Sequence, residues 1–313
     1  MRFANRMKTL IQNYANTEST EPLYICESLN DLEGEEANIW TPDGSSAFDA
    51  FDTTKPDVFI THFGYLTNDI LKYLSQNNNI ELLVNVTGAT QDVIDQLDDI
   101  VDSSGINCPF VFYNSPSAFN TIKQRKTKMI NIMLGADIYL SKQSVETPEY
   151  KADLAVISNY TVKGRLSDIT DGFDVHHFLS TNQELANEVD IVAPTMHLYG
   201  LYGKYENILV TQDTQDIPQV LFDSILYGKN VFFLPKYESQ KDKMYEVLDS
   251  SLKAPLPLID TDPKEEWEEK ALAVKNKVLS SHTCLSRVKR LASKLQNKDL
   301  VSKIEKKIKD LQK

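Results

Sequence analysis

The chain has 313 residues, more than one hydrophobic core ordinarily organises, so two domains are expected. With 41% hydrophobic and 25% charged residues, its composition is globular, which excludes wholesale disorder. A net charge of −12, from 33 basic and 45 acidic residues, argues against sequence-independent nucleic-acid binding, because phosphates repel it.

The basic start Met1-Arg2-Phe3-Ala4-Asn5-Arg6 leads into no apolar core of signal-peptide length, and the longest apolar stretches, such as Val231–Leu234, are strand-length. A cytoplasmic chain without a membrane span is the expectation. Short β-rich runs then alternate with amphipathic segments of helical length. Leu23–Cys26, Asn38–Trp40, Val58–His62, Glu81–Val86 and Pro109–Tyr113 read as strands, with helices over Asn68–Ser75 and Gln91–Val101. Val58-Phe59-Ile60 is apolar on both faces, as a strand covered by helices requires. After a loop over 143–150 containing Pro148, a second set follows. Its strands are Asp153–Ser158, Asp174–Phe178, Ile191–Ala193, Asn207–Thr211 and Asn230–Leu234; its helices are Leu166–Thr170, Gln183–Glu188 and Pro218–Tyr227. Such alternation implies parallel sheets joined by right-handed crossovers. Beyond Pro235 the chain turns helical and charged. Lys264–Leu295 has long helical periodicity, and Lys298–Gln312 gathers Leu300, Ile304, Ile308 and Leu311 on one face. The expected division is a first Rossmann-like domain over 1–145, a second over 146–295 and an amphipathic helix over 296–313.

Cys26, Cys108 and Cys284 are far apart, odd in number and without C-x-x-C spacing, which argues against a disulfide framework and a zinc site. Cys26 and Cys108 lie in apolar runs and read as core residues. Asp260-Thr261-Asp262 has the spacing of a metal-binding acidic pair but lies in a Pro-flanked loop without a strand. His176-His177 has no third ligand nearby in sequence. No metal is expected. Without a Gly-x-Ser-x-Gly elbow or a Walker loop, hydrolase and kinase chemistry are disfavoured.

In Asp153–Leu166 a strand runs into a loop holding Asn159, Lys163, Gly164 and Arg165 before a helix begins. Ligands of parallel sheets bind beyond the strands' C-terminal ends, and helix N-termini there favour phosphate. Lys163 and Arg165 therefore either hold a diphosphate or form a solvated basic turn. Pro218 suits a helix start and Gly228 its C-terminal end, so Pro218–Leu234 reads as helix, glycine, buried strand. Asp223 lies on that helix. In the first half, the strand Val58–His62 ends in His62, which is a general base, an acceptor-orienting group or simply a satisfied histidine. Val84–Gly88 and Tyr113–Ser117 are further strand ends bearing hydroxyl and amide groups suited to sugars. Lys123-Gln124-Arg125-Lys126-Thr127-Lys128 is a basic patch that meets an anionic acceptor or is a solvated face.

The order of Gly135-Ala136-Asp137, Ser158-Asn159 through Arg165, Tyr205–Val210, Phe222-Asp223…Gly228 and His282-Thr283…Arg287 resembles the spore-maturation (CgeB-like) branch of the GT-B glycosyltransferases. The resemblance covers residues 130 to 292. It implies two Rossmann-like domains facing a cleft, with C-terminal helices, and a metal-independent transfer of a sugar, of the hexosyltransferase class. A nucleotide-sugar donor serves as co-substrate, with no other cofactor. Domain two would hold the donor through Asn159, Lys163, Arg165, Tyr205, Asp223 and Gly228, with Asp223 also catalytic; His62, outside the resemblance, joins it as a catalytic residue from its strand-end position alone. Asp223 stands where many relatives have glutamate, and Gln215 where some have a second one. The acceptor is left open among glycan, protein and modified DNA. The rival expectation is a catalytically inactive descendant that keeps the fold and binds a ligand.

Overall fold

A computed structural model describes residues 7–14, 21–114, 127–132, 135–139, 152–158, 174–179, 191–192, 202, 204–213, 219–228, 230–237, 240 and 264–312. The chain divides into two compact units. Met1–Leu134 joins Cys284–Asp310 in the first, and Gly135–Thr283 joins Leu311–Lys313 in the second.

The first unit contains β1 (Lys8–Gln12), α1 (Glu21–Asn30), β2 (Glu36–Trp40), α2 (Ala47–Thr54), β3 (Val58–His62), α3 (Asn68–Gln76), β4 (Glu81–Asn85), α4 (Gln91–Ser104), β5 (Phe110–Tyr113) and β6 (Met129–Asn131). Its strands are all parallel, in the order β2-β1-β3-β4-β5-β6. The middle strands are buried along nearly their whole length, consistent with helices on both faces. Local signals start the helices. The Ser46 hydroxyl accepts the Asp49 N–H at 3.1 Å, and Thr67 accepts that of Ile70 at 3.4 Å. Along α3, Ile70 and Leu74 are buried one turn apart and turn its apolar stripe inward.

Leu23–Cys26 was expected as a strand and is instead the middle of α1. A four-residue apolar run does not separate the two states by periodicity. Here the helix is apolar on two sides, because it touches β1 and β2 on one side and a C-terminal helix on the other. Two strands are missed in the sequence, the three-residue β6 and β1, the latter including the buried polar residues Thr9 and Gln12. The helix α2 was also unread.

The second unit contains β7 (Leu154–Ser158), β8 (Val175–Leu179), β9 (Ile191–Val192), β10 (Asn207–Thr211), α5 (Gln219–Tyr227), β11 (Asn230–Phe233) and α6 (Lys264–Ser281). Its parallel sheet runs β11-β10-β7-β8-β9. The core joins Ala155, Ile157, Ile208 and Val210 to Leu221, Phe222 and Ile225 of α5 and Val274 and Val278 of α6, while Leu154, Val156 and Leu209 form a separate cluster.

The periodicity over Lys264–Leu295 breaks at His282–Thr283, where Thr283 bridges Ala136 and the His282 carbonyl accepts the Ala136 N–H at 2.7 Å. Beyond it, α7 (Cys284–Lys294) and α8 (Lys298–Leu311) belong to the first unit. The sequence reading placed the domain change near 145 and carried the second domain to 295; by contacts the chain changes unit at 134/135 and again at 283/284. Asn297 caps α8 by accepting the Leu300 N–H at 3.0 Å. Leu300, Ile304 and Ile308 are buried as expected, whereas Leu311 is 37% exposed. Lys303 reaches Glu35 at 2.5 Å and Lys307 reaches Asp31 at 2.9 Å, fastening α8 to the segment between α1 and β2. Among the described residues no helix is long and apolar enough to cross a membrane. Cys26 and Cys284 are buried and Cys108 is half-buried, all as free thiols.

Candidate functional site

In each sheet the strand order reverses beside the first strand, between β1 and β3 in the first unit and between β7 and β10 in the second. The C-terminal ends at such a reversal are where open parallel sheets bind ligands.

In the second unit that edge is set by Ser158 and Thr211, register partners and both buried. Asn159, Lys163 and Arg165, which follow Ser158 in sequence, lie outside the described residues. The neighbouring edge is knit by side chains. Asp213, after β10, bonds Lys236 Nζ at 2.5 Å and the Tyr237 hydroxyl at 2.6 Å, both beyond β11. Gln240 accepts the N–H groups of Lys236 and Tyr237 at 2.8 and 3.2 Å, and donates to the Gln212 carbonyl at 3.2 Å. Lys236 is a cation beside the C-terminal strand ends that the sequence reading missed. Its signal was Pro235-Lys236 directly after an apolar strand.

The other expected donor residues stand elsewhere. Tyr205 precedes β10 and is wholly buried, and its hydroxyl meets His176 Nδ1 at 2.8 Å near the start of β8. It belongs to the N-terminal edge, opposite the expected site. Gly228 closes α5 at that same edge, where a Cβ would come within 2.7 Å of the Ser224 carbonyl and 2.8 Å of Ile208 Cδ1. Both residues serve packing.

Asp223 is 0% exposed. Its Oδ1 accepts the Asp137 N–H at 2.8 Å, and its Oδ2 has no hydrogen-bond partner. Burial pushes its carboxyl well above the ordinary range, and the neighbouring Asp137 charge adds to the effect. Asp137 is itself buried and raised, chiefly by burial. Its carbonyl accepts the Tyr227 hydroxyl at 2.7 Å. The expected donor-facing carboxylate is thus turned into the unit. Phe222, one residue earlier, stacks on His282 with ring centroids 5.3 Å apart and planes within 2°. Gly135 completes the arrangement, because a Cβ there would lie 2.7 Å from the His282 carbonyl oxygen. Gly135–Asp137, Phe222-Asp223 and His282-Thr283, far apart in sequence, therefore pack as one body.

In the first unit the β1/β3 edge carries a polar network. The Thr61 hydroxyl donates to Gln12 Oε1 at 2.5 Å, joining the two strand ends. Tyr14 follows β1, and Glu21 opens α1 with 0% exposure. Glu21 Oε2 accepts from the Tyr14 hydroxyl at 2.9 Å and from Asn85 Nδ2 at 2.6 Å. Burial pushes Glu21 up to about 7, against the lowering effect of these donors. A carboxyl that changes charge near neutrality at a strand-edge reversal is a functional-site candidate. Sequence reasoning missed it because Leu23–Cys26 was read as a strand. Glu21-Pro22 ahead of that run is a helix-start signal that would have found it.

His62 ends β3, half-buried. Its Nδ1 accepts the Gly64 N–H at 3.2 Å and its Nε2 meets the Thr87 carbonyl at 3.1 Å. An amide N–H can only donate and a carbonyl only accept, so the ring is neutral with its proton on Nε2. Burial lowers its basicity further. The expected base therefore has both nitrogens engaged in this conformation. Thr87 also accepts the Asn114 N–H at 2.9 Å, so the strand ends read as sugar-contacting are tied to one another. Among the described residues no three His, Cys, Asp or Glu side chains gather as a metal site.

No protein-family model matches the chain, and no curated protein matches its sequence. Solved structures do match in fold. The N-terminal domain of trehalose-6-phosphate phosphatase from Candida albicans aligns over 96% of this chain and 97% of its own, at 10% identity and a TM-score of 0.51. The Streptomyces sp. SF2575 glycosyltransferase SsfS6, complexed with thymidine diphosphate, aligns over 92% and 100%, at 11% identity and a TM-score of 0.48. The UDP-GlcNAc 2-epimerase from Neisseria meningitidis, bound to UDP-GlcNAc, aligns over 93% and 100%, at 11% identity and a TM-score of 0.46. At these identities the likeness is one of fold alone. The chain has the GT-B-like α/β fold class expected from its sequence: two Rossmann-like parallel sheets with helices, and further helices at the C-terminus.

Proposed function

We propose that the chain is a glycosyltransferase of the CgeB-like kind, moving a sugar from a nucleotide-sugar donor to an acceptor without a metal ion. The observation that carries this reading is the packing of Gly135–Asp137, Phe222-Asp223 and His282-Thr283 into one body of the second unit. These segments were singled out by the resemblance, and they contact one another. In the mechanism, the loop after β7 holds the diphosphate, and Lys163 and Arg165 offset its charge as the leaving group departs. Asp223 holds the Asp137 peptide and so shapes the unit from behind. His62 assists the acceptor hydroxyl once its ring is released from Thr87 or Gly64.

The test is thermal denaturation with nucleoside diphosphates and nucleotide sugars. A ligand at one hundred times its Kd stabilises by about 2.7 kcal/mol, which is read as a rise in Tm. At least one diphosphate should raise Tm, Lys163→Ala with Arg165→Ala should abolish the rise, and sugar release should survive EDTA. A flat response to every nucleotide would end this reading. The complete burial of Asp223 favours a second reading, a binding protein without turnover. Nucleotide binding with no sugar release or transfer from any donor tried would decide for it.

A further inference from the structure

Glu21 communicates with His62 by two routes. The first runs through hydrogen bonds: Glu21 Oε2 takes Asn85 Nδ2 at 2.6 Å, Asn85 Oδ1 takes the Thr87 N–H at 2.9 Å, and the Thr87 carbonyl takes His62 Nε2 at 3.1 Å. The second runs through Tyr14, whose hydroxyl is held by Glu21 and whose ring centroid lies 5.6 Å from that of His62.

The first route is directional. A primary amide has one donating and one accepting end. An ionised Glu21, which only accepts, compels Asn85 to present its NH2, and this leaves Asn85 Oδ1 for the Thr87 N–H. A protonated Glu21 carries a donor of its own. If that O–H is on Oε2, it faces the Tyr14 O–H and the Asn85 NH2, and one of them must turn away. Turning the Asn85 amide would set NH2 against the Thr87 N–H and undo the turn that presents the Thr87 carbonyl to His62.

We infer that Glu21 is a positioning residue for His62: its charge state fixes the Asn85 amide, then the Thr87 peptide, and through it the tautomer and orientation of the His62 ring. The titratable and polar groups around this path come from several elements. Tyr14 lies beyond β1, Tyr24 is on α1, Asn85 ends β4 and Asn114 follows β5, while Cys284 and Arg287 of α7 act on Tyr24. Arg287, from near the other end of the chain yet packed in the same unit, is itself pushed down to about 10 by burial. Around His62 stand the rings of Tyr14, Phe63 and Tyr65. The consequence for catalysis rests on the proposed transfer, in which His62 meets the acceptor; the coupling itself does not.

The experiment follows the imidazole Cε1 signals of the full-length chain, labelled at its five histidines, from pH 5 to 9. His62→Gln assigns the His62 signal. In the native chain His62 should show its own step, below the ordinary imidazole value, and a second near pH 7 reporting Glu21. Glu21→Gln should delete the second step, and Tyr14→Phe, which removes a donor to the ionised carboxylate, should move it to higher pH. A single step in the native chain, or a second step unchanged in Glu21→Gln, overturns the proposal. Should Glu21→Gln fail to fold, Tyr14→Phe decides alone, and an unmoved step overturns it. Absence of sugar transfer from every donor would sink the proposed function while leaving these titration curves intact.

Discussion

Glu21 and Asp223 are both wholly buried, yet they are served differently. Two side-chain donors meet Glu21 Oε2, whereas Asp223 Oδ1 is met by one backbone N–H, that of Asp137. For Glu21 the folded value of about 7 lies above the ordinary 4.5, so its ionisation opposes folding. Stability from this group is fully present below pH 4.5 and is lost as pH rises to 7. Glu21→Gln keeps the acceptor oxygen and removes the charge. Urea melts of the variant should match the native chain near pH 4.5 and exceed it above pH 7 by on the order of 3 kcal/mol. A variant less stable than the native chain at pH 8 would contradict this account.

Between elements, Gly135 lies so near the His282–Thr283 peptide that an added Cβ would stand 2.7 Å from the His282 carbonyl oxygen. A methyl group would push the segment off its bridge to Thr283, so Gly135→Ala should lose about 1–3 kcal/mol in urea melts. It should also separate the Phe222 and His282 rings, visible as a change in His282 shifts. How much of this was legible in sequence differs between elements. Strands buried on both faces, such as Val58–His62 and Asn207–Thr211, announced themselves as apolar runs, and α4 by its period. The short apolar run in α1 did not, because a helix pressed between a sheet and α7 carries no polar stripe to give it away. β1 was hidden by Thr9 and Gln12, polar residues whose burial is decided by neighbours distant in sequence. The candidate site divided likewise. Strand-end logic drew attention to Lys163 and Arg165, which lie outside the described residues, whereas the Glu21 network needs Tyr14, Asn85 and Thr87 brought together by the fold. The direction of Asp223 on α5 also depended on a partner 86 residues away.

At the scale of the molecule, the first unit is discontinuous, closed by α7 and α8 from the far end of the chain. Ile25 and Leu29 of α1, Val58 and Ile60 of β3, and Val288, Leu291 and Leu300 of the closing helices line one apolar seam. Ile304→Ala, at a 0% exposed position of α8, should cost about 2–5 kcal/mol. The loss should register first in amide exchange of α1 and β1. A chain ending at Thr283 should lose protection in those elements altogether while β7, β10 and α5 keep theirs.

This closure also orders events during synthesis. Residues 7–134 leave the ribosome long before 284–310 exist. At roughly 5–20 residues per second, the seam under α7 waits on the order of ten to thirty seconds. Through that interval the nascent unit presents Ile25, Leu29 and Ile60 to whatever is near. The second unit, encoded between, can complete its sheet before the first unit is closed.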